Sequence, residues 1–318
     1  MNDPLVSIIL PCYNSERFLP QVLDSVRAQT YSNWELVAVN DLSSDGTAKL
    51  LSAAAASDSR IRHIDRATRG GRPGVTKNTG LQHARGEFIA FLDHDDLYLP
   101  RKIEQQVALL QRNPQCVAAF HDLVFINSEG RPGSRYLPKL LQDAESFIEA
   151  SKDHDHVFSE QFFVFQSLRY AGFHTITTML APQRMRGTPL DFDPQYSICD
   201  DTDLWIRCGL AGPVVYQDEV HAQYRLHDTN LTTNELKVSS DIVLLIQNNR
   251  LRIASRLTPE QATALDLRLA NALRDLGWAH RKLGQHRLAV SAYWESIRLR
   301  PRWQTLLEGT KAALPVKE

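Results

Sequence analysis

A run of five apolar residues, Phe88-Ile89-Ala90-Phe91-Leu92, passes without a break into Asp93-His94-Asp95-Asp96. This junction constrains the fold more than any other part of the chain. A short continuous apolar run reads as a strand buried on both faces. Three carboxylates in the next four residues repel one another and resist desolvation unless a cation neutralises them. Such a group is tolerable at the carboxyl end of a parallel strand, where open α/β sheets bind their ligands. Oxygen ligands of this kind suit Mg²⁺ or Mn²⁺, which complete their shell with water and substrate phosphate. The competing role is local: Asp95 or Asp96 would cap a helix beginning near Leu99-Pro100.

The surrounding pattern agrees with a parallel sheet and crossover helices. Strand-like runs at Val6 to Leu10 (ended by Pro11), Glu35 to Asn40, Ile61 to Ile64 and Phe88 to Leu92 alternate with helical spacing. The helices are expected at Phe18 to Gln29, Asp45 to Ala56, Val75 to Ala84 and Arg101 to Gln111. The stretch from Gly130 to Phe173 mixes Pro, Gly, charge and aromatics, and reads as a loop-rich insertion. A strand at Ile176 to Leu180 and a helix from Asp201 to Leu210 follow, the helix carrying Leu204, Trp205 and Cys208 on one face. Beyond Thr233 the pattern is entirely helical. Leu276-Gly277, Gly284, Ala289, Tyr293 and Pro301 fall at the spacing of one tetratricopeptide unit, with a weaker neighbour at Ser240 to Arg268. The expected division is an α/β domain over residues 1–232 and a helical extension over 233–318.

Bulk properties narrow the classes. With 36 basic and 37 acidic side chains the chain lacks the basic excess of a nucleic-acid binder. Its four cysteines show no Cys-x-x-Cys spacing and fit a reducing compartment better than a disulfide scaffold. Residues 1–4 lead straight into a strand, with no basic and apolar leader, and no apolar run approaches the ~20 residues that cross a bilayer. A cytoplasmic location is expected. From Leu231 onward 14 Lys/Arg face 8 Asp/Glu, a balance that is either a solvated helical face or an attraction to anionic lipid at the inner membrane surface or to a lipid diphosphate.

Four other segments match the acidic junction. Pro11-Cys12-Tyr13-Asn14 ends the first strand, where short polar groups can face a nucleotide. Asn40-Asp41-Leu42-Ser43-Ser44-Asp45-Gly46-Thr47 ends the second, and a carboxylate there can accept the imide N–H of uracil. Lys77-Asn78 follows the glycine-rich loop and could offer a cation to base or pyrophosphate. Cys199-Asp200-Asp201-Thr202-Asp203-Leu204-Trp205 opens a helix with a second acidic cluster, which alone could serve the helix dipole.

In this order the motifs resemble the inverting family 2 glycosyltransferases of the GT-A fold over roughly residues 4 to 230. The resemblance implies that Pro11, Tyr13, Asn14, Asp41, Lys77, Asn78, Asp93, His94 and Asp95 line a nucleotide-sugar site. Within it Asp41 would meet uracil, Asp93 the ribose and Asp95 the metal on the diphosphate, with no separate role for His94. Asp201 would be the general base. Tyr224-Arg225-Leu226-His227 resembles a further family element in which His227 would ligate the metal or touch the diphosphate, a lone histidine otherwise being structural; apart from that element, His174, before Thr177-Thr178, could face the acceptor. Asn40, Leu42, Lys77 and Asp200 stand where Asp, Gly, Arg and Glu are common. The implied activity is metal-dependent transfer from a nucleotide-sugar, UDP-linked, to a glycan or lipid-linked hydroxyl. A sugar-phosphate nucleotidyltransferase would instead want a Gly- and Arg/Lys-rich loop after the first strand. A non-catalytic scaffold recruiting partners through the tail would not need three intact acidic clusters.

Overall fold

The structure is a computed structural model describing residues 3–169 and 173–312. Residues 1–2, 170–172 and 313–318 belong to the expected α/β domain, insertion and tail and lie outside the described residues. The elements β1 (Val6–Cys12), α1 (Leu19–Arg27), β2 (Trp34–Asn40), α2 (Thr47–Ser57), β3 (Ile61–Asp65), α3 (Pro73–His83) and β4 (Phe88–Phe91) follow the expected alternation. They are succeeded by β5 (Leu97–Tyr98), α4 (Lys102–Arg112), β6 (Ala118–Ile126), β7 (Pro132–Arg135), α5 (Leu140–Asp143), β8 (Ile148–Lys152) and β9 (Asp155–Phe158). Then come α6 (Phe162–Arg169), β10 (Thr178–Leu180), α7 (Asp200–Ala211), β11 (Val214–Arg225) and four helices, α8 (Glu235–Ile253), α9 (Pro259–Lys282), α10 (His286–Leu299) and α11 (Trp303–Ala312).

The chain divides into two compact units. The first comprises Met1–Phe165, Ala171–Pro194 and Asp200–Asp228. It holds one sheet in the order β3-β2-β1-β4-β10-β6-β11-β9-β8, with β5 beside β11 and β7 beside β6. Strands β1 to β4 are parallel, as is the β6–β11 pair, while β10 runs antiparallel between β4 and β6. The α/β architecture is therefore a mixed sheet whose parallel half carries the nucleotide-type motifs. Alternate residues of its strands feed two cores, since neighbouring side chains point to opposite faces. Ile8, Leu36, Ala38 and Ala90 pack with α1, α2 and α4. Ile9, Val37, Val39 and Phe91 pack opposite them with Leu204, Trp205 and Cys208 of α7.

Three expectations need correction. Pro11 does not end β1, which continues to Cys12 with Pro11 opposite Val39. Ile9 accepts from Leu92 on the β4 side, so Pro11, two residues on, turns its missing N–H toward that side, beyond the end of β4. The stretch from Gly130 is not mainly loop: β9 pairs with β11 and β8 with β9, and Phe158, Phe162, Phe165 and Phe173 enter the second core. Ile176 lies in a short 3-10 turn, Thr175–Thr177, just before β10. The long strands β6 and β11 are absent from the sequence reading. His121-Asp122 interrupts the apolar run of one, and register shifts around Val220 break the alternation of the other.

The second unit comprises Gln166–Tyr170, Gln195–Cys199 and Thr229–Glu318. Its helix α9 starts at a capping box of Thr258 and Gln261. Gly277 lets α9 approach α10, for a Cβ there would lie 3.0 Å from the buried ring of Tyr293. Ser296 Oγ donates to Ala270 O at 2.6 Å across the same contact, and Gly284 closes the turn at φ +70. This is the small-residue helical hairpin that the tetratricopeptide-like spacing predicts. The buried Asp241 carboxylate accepts the N–H groups of Ser197, Ile198 and Cys199 at 2.6, 2.6 and 3.2 Å. Among the described residues no helix is long and apolar enough to cross a membrane.

Candidate active site

The acidic segment leaves β4 and is held from a distant part of the chain. The Arg225 N–H donates to Asp96 Oδ1 at 2.8 Å, and its guanidinium donates to Asp95 O at 2.9 Å, Ser128 O at 3.3 Å and Gln21 Oε1 at 2.8 Å. Asp96 is fully buried, and its other oxygen has no hydrogen-bond partner among the described residues. Burial, then Asp95 and Asp93, push its carboxyl well above the usual range. Neither Asp95 nor Asp96 caps a helix: β5 follows at once, and α4 begins only at Lys102, after Arg101.

His227 Nε2 lies 2.9 Å from Asp95 Oδ2, and its ring stacks near Phe18 at 5.1 Å. Burial would raise the Asp95 carboxyl, but the hydrogen bond from His227 and the nearby His94 hold it below the usual range. This pair fits a divalent ion on spacing, since adjacent ligands of an octahedral ion with arms of ~2.1 Å lie about 3 Å apart. A second group of donors, Asp93, Asp96 and His174, has ligand atoms within 4.8 Å of one another. There His174 Nδ1 faces the Ile176 N–H at 3.5 Å. Burial, opposed by Asp93, lowers the His174 imidazole to about 4, so it is neutral near pH 7.

The second acidic cluster opens α7. Asp200 and Lys77 are 3.3 Å apart, both side chains 4% exposed. Gly74 permits this approach, because a Cβ there would stand 2.7 Å from Asp200 Oδ2. Burial would lower the Lys77 ammonium, but Asp200, Asp93 and Asp201 outweigh it and raise it. Burial, against the pull of Lys77, lifts Asp200 to about 6. Asp201 accepts from Thr175 Oγ1 at 3.0 Å and from the Thr202 N–H at 2.6 Å, and burial again raises its carboxyl. Lys77 thus joins the acidic segments after β4 and at the start of α7.

The remaining expected residues fall into two groups. Asp41 faces the glycine-rich loop, accepting from the Gly70 N–H at 2.6 Å and Gly71 N–H at 3.2 Å, with Arg66 Nε at 3.0 Å. Arg69 lies over the half-exposed Tyr13 ring at 4.1 Å. Asn14, at φ 49, ties two loops together: its N–H donates to Ser43 Oγ at 3.0 Å and its Oδ1 accepts from the Ser44 N–H at 2.9 Å. Asn78 departs from expectation, for its amide bonds both backbone groups of Phe192 at 2.7 Å and fixes that loop instead of offering itself to a ligand. Leu42, where glycine is common, adopts φ +57. The sequence reading missed the supporting roles of Arg66, Thr175, Arg225 and Asp96. Arg225 and Asp96 lay inside quoted motifs, and Thr175 follows His174, but nothing local marks Arg66.

Parallel strands ending in glycine-rich and acidic loops, joined to a half of mixed strand direction, define a GT-A-type fold. Solved structures agree. S. aureus TarS residues 1–349 in complex with UDP matches with a TM-score of 0.63 and 17% identity, over 93% of this chain and 81% of that one. A mannosyltransferase from Pyrobaculum calidifontis, PcManGT with GDP-Man and Mn²⁺, matches with a TM-score of 0.60 and 18% identity, over 100% and 82%.

The chain belongs to glycosyl transferase family 2, whose profile matches residues 7–170. Among relatives, the Escherichia coli UDP-Glc:alpha-D-GlcNAc-diphosphoundecaprenol beta-1,3-glucosyltransferase WfgD is 45% identical over 114 residues, 36% of this chain and 44% of WfgD. The putative teichuronic acid biosynthesis glycosyltransferase TuaG of Bacillus subtilis is 26% identical over 237 residues, 74% and 84% of the two chains. The match thus spans under half the length of WfgD.

Proposed function

We propose that the chain is an inverting, divalent-metal-dependent glycosyltransferase that moves a sugar from a UDP-sugar to a hydroxyl of a glycan or lipid-linked acceptor. One observation carries this: Thr175, which donates to Asp201 at 3.0 Å, adjoins His174, whose ring nitrogen lies within 4.8 Å of an Asp93 oxygen, so the two acidic segments converge. Asp201 takes the proton of the acceptor hydroxyl as that oxygen attacks the anomeric carbon. Burial makes its carboxylate a stronger base than an exposed one, and Thr175 orients it. Asp95 and His227 would hold Mn²⁺ or Mg²⁺, which supplies charge neutralisation to the departing nucleoside diphosphate. Tyr13, Asp41 and the glycine-rich loop take the base. The lipid-linked acceptor agrees with the substrate in the name of WfgD.

The test is thermal stability with a panel of UDP- and GDP-sugars, with and without Mn²⁺. A donor at a hundredfold excess over its Kd adds about 2.7 kcal/mol. The Mn²⁺-dependent part of that gain should vanish in Asp95→Ala. Stabilisation by no member of the panel would overturn the proposal.

A further inference from the structure

We infer that Arg69 stands in for the base of the nucleotide: in the free chain its loop fills the contacts a pyrimidine would take, and the base binds by exchanging with it. This exchange presupposes the nucleotide-sugar reading and its base site. Two residues adjacent in sequence make the two contacts. The Arg69 guanidinium lies 4.1 Å from the centroid of the Tyr13 ring, and the Gly70 N–H donates to Asp41 Oδ1 at 2.6 Å. A guanidinium is planar and delocalised and stacks on an aromatic face, as a nucleobase does. A backbone N–H is the same kind of donor as the imide N–H of uracil. Residues 69 and 70 therefore bring a flat group to Tyr13 and an amide-type donor to Asp41, the two features of a uracil ring.

The local sequence suits this closure. A Cβ at residue 70 would stand 3.2 Å from Asp41 Oδ1, so glycine permits the approach. Gly71 turns the chain at φ +69, a conformation glycine adopts without strain. The Gly71 N–H reaches Asp41 Oδ2 at 3.2 Å and Arg66 Nε reaches Oδ1 at 3.0 Å, and the Asp41 side chain is left 6% exposed. A carboxylate so covered meets a base only after the loop withdraws. Arg69 is exposed and makes no ion pair or hydrogen bond among the described residues, so the Tyr13 ring is its hold. An exposed cation on an aromatic face is weakly held, and a base that stacks there can displace it.

The test uses the full chain, with surface plasmon resonance of UDP and Mn²⁺ and calorimetry of uridine. Uridine carries no phosphate, and about 0.3 M salt screens the attraction of UDP to a surface charge. A contact made only in the free chain lowers apparent affinity by reducing the competent fraction. Arg69→Ala should therefore raise uridine affinity and the UDP association rate about two- to fivefold, with the UDP dissociation rate unchanged. The side chain is exposed, and unchanged circular dichroism confirms the fold of the variant. Weaker UDP binding with faster dissociation would make Arg69 a ligand contact and overturn the inference. Uridine affinity and UDP association equal to wild type would also overturn it, leaving the nucleotide-sugar reading intact. Failure of wild type and variant alike to bind UDP or uridine would sink that reading and the exchange together.

Discussion

Replacing Lys77 with Met removes an ammonium 3.3 Å from Asp200 and leaves a side chain of similar length in a site where both partners are 4% exposed. Deleting one member of a buried pair costs about 3–5 kcal/mol, because the other charge is stranded. The pH dependence of that cost is the informative part. Asp200 titrates at about 6 even beside Lys77, since burial outweighs the attraction. Without Lys77 its pKa rises further. Above about pH 6 the folded variant then keeps a proton that the wild-type fold is losing and the unfolded chain has already lost. A carboxyl raised in the fold supports the fold at low pH and penalises it as pH climbs, here by about 1.4 kcal/mol per unit. Wild-type Asp200 regains part of its own proton over the same range, so of the loss at pH 8 about 2 kcal/mol should be recovered at pH 6. Urea unfolding of Lys77→Met and wild type, followed by circular dichroism at both pH values, measures it. An equal loss at the two pH values would refute the reasoning.

Thr175→Val removes the hydroxyl donor to Asp201, so the acid limb of the transfer rate should move up by about half to one pH unit, with donor KM unchanged. A rate profile over pH checks both. Asp201→Asn should bind donor as wild type does in thermal shift while kcat falls by at least ~100-fold. Arg225→Lys keeps the charge but not the fork that holds Asp95 O and Gln21; titration should show Mn²⁺-dependent donor binding weakened about tenfold. Leu42→Gly relieves a left-handed leucine at φ +57 whose side chain is 47% exposed, and urea unfolding should show a gain of about 0.5–1 kcal/mol.

What the sequence disclosed follows the range of the interactions. β1 to β4 and their helices were legible because each buries a continuous apolar run or a helical stripe, a pattern set within a dozen residues. β6 and β11 escaped because they carry polar side chains whose partners are remote: Asp122 in β6 is buried against Arg135 at 2.7 Å, and His221 in β11 lies edge-on to His121 at 5.4 Å. A strand that buries polar groups on a neighbouring strand loses the alternation that identifies strands. The Phe-rich insertion failed for the opposite reason, since its apolar residues serve a core formed by elements far away in the chain.

The acidic junction shows the same limit at the site. Its three carboxylates are chemically alike in the sequence, and the fold gives each a different partner. Asp96 takes the Arg225 N–H, Asp95 meets His227, and Asp93 lies in the field of Lys77. The first two partners come from the end of β11, well over a hundred residues away, and no local rule could have assigned them. An unpaired carboxylate at Asp96 would be the costliest of the three, being wholly buried, yet helix capping was the plainest role open to it. The Arg225 N–H and guanidinium there support the segment that presents Asp95 and Asp93. The capping expectation failed because it treated Asp96 as a surface residue, whereas its burial makes it the anchor of the segment that carries Asp93 and Asp95.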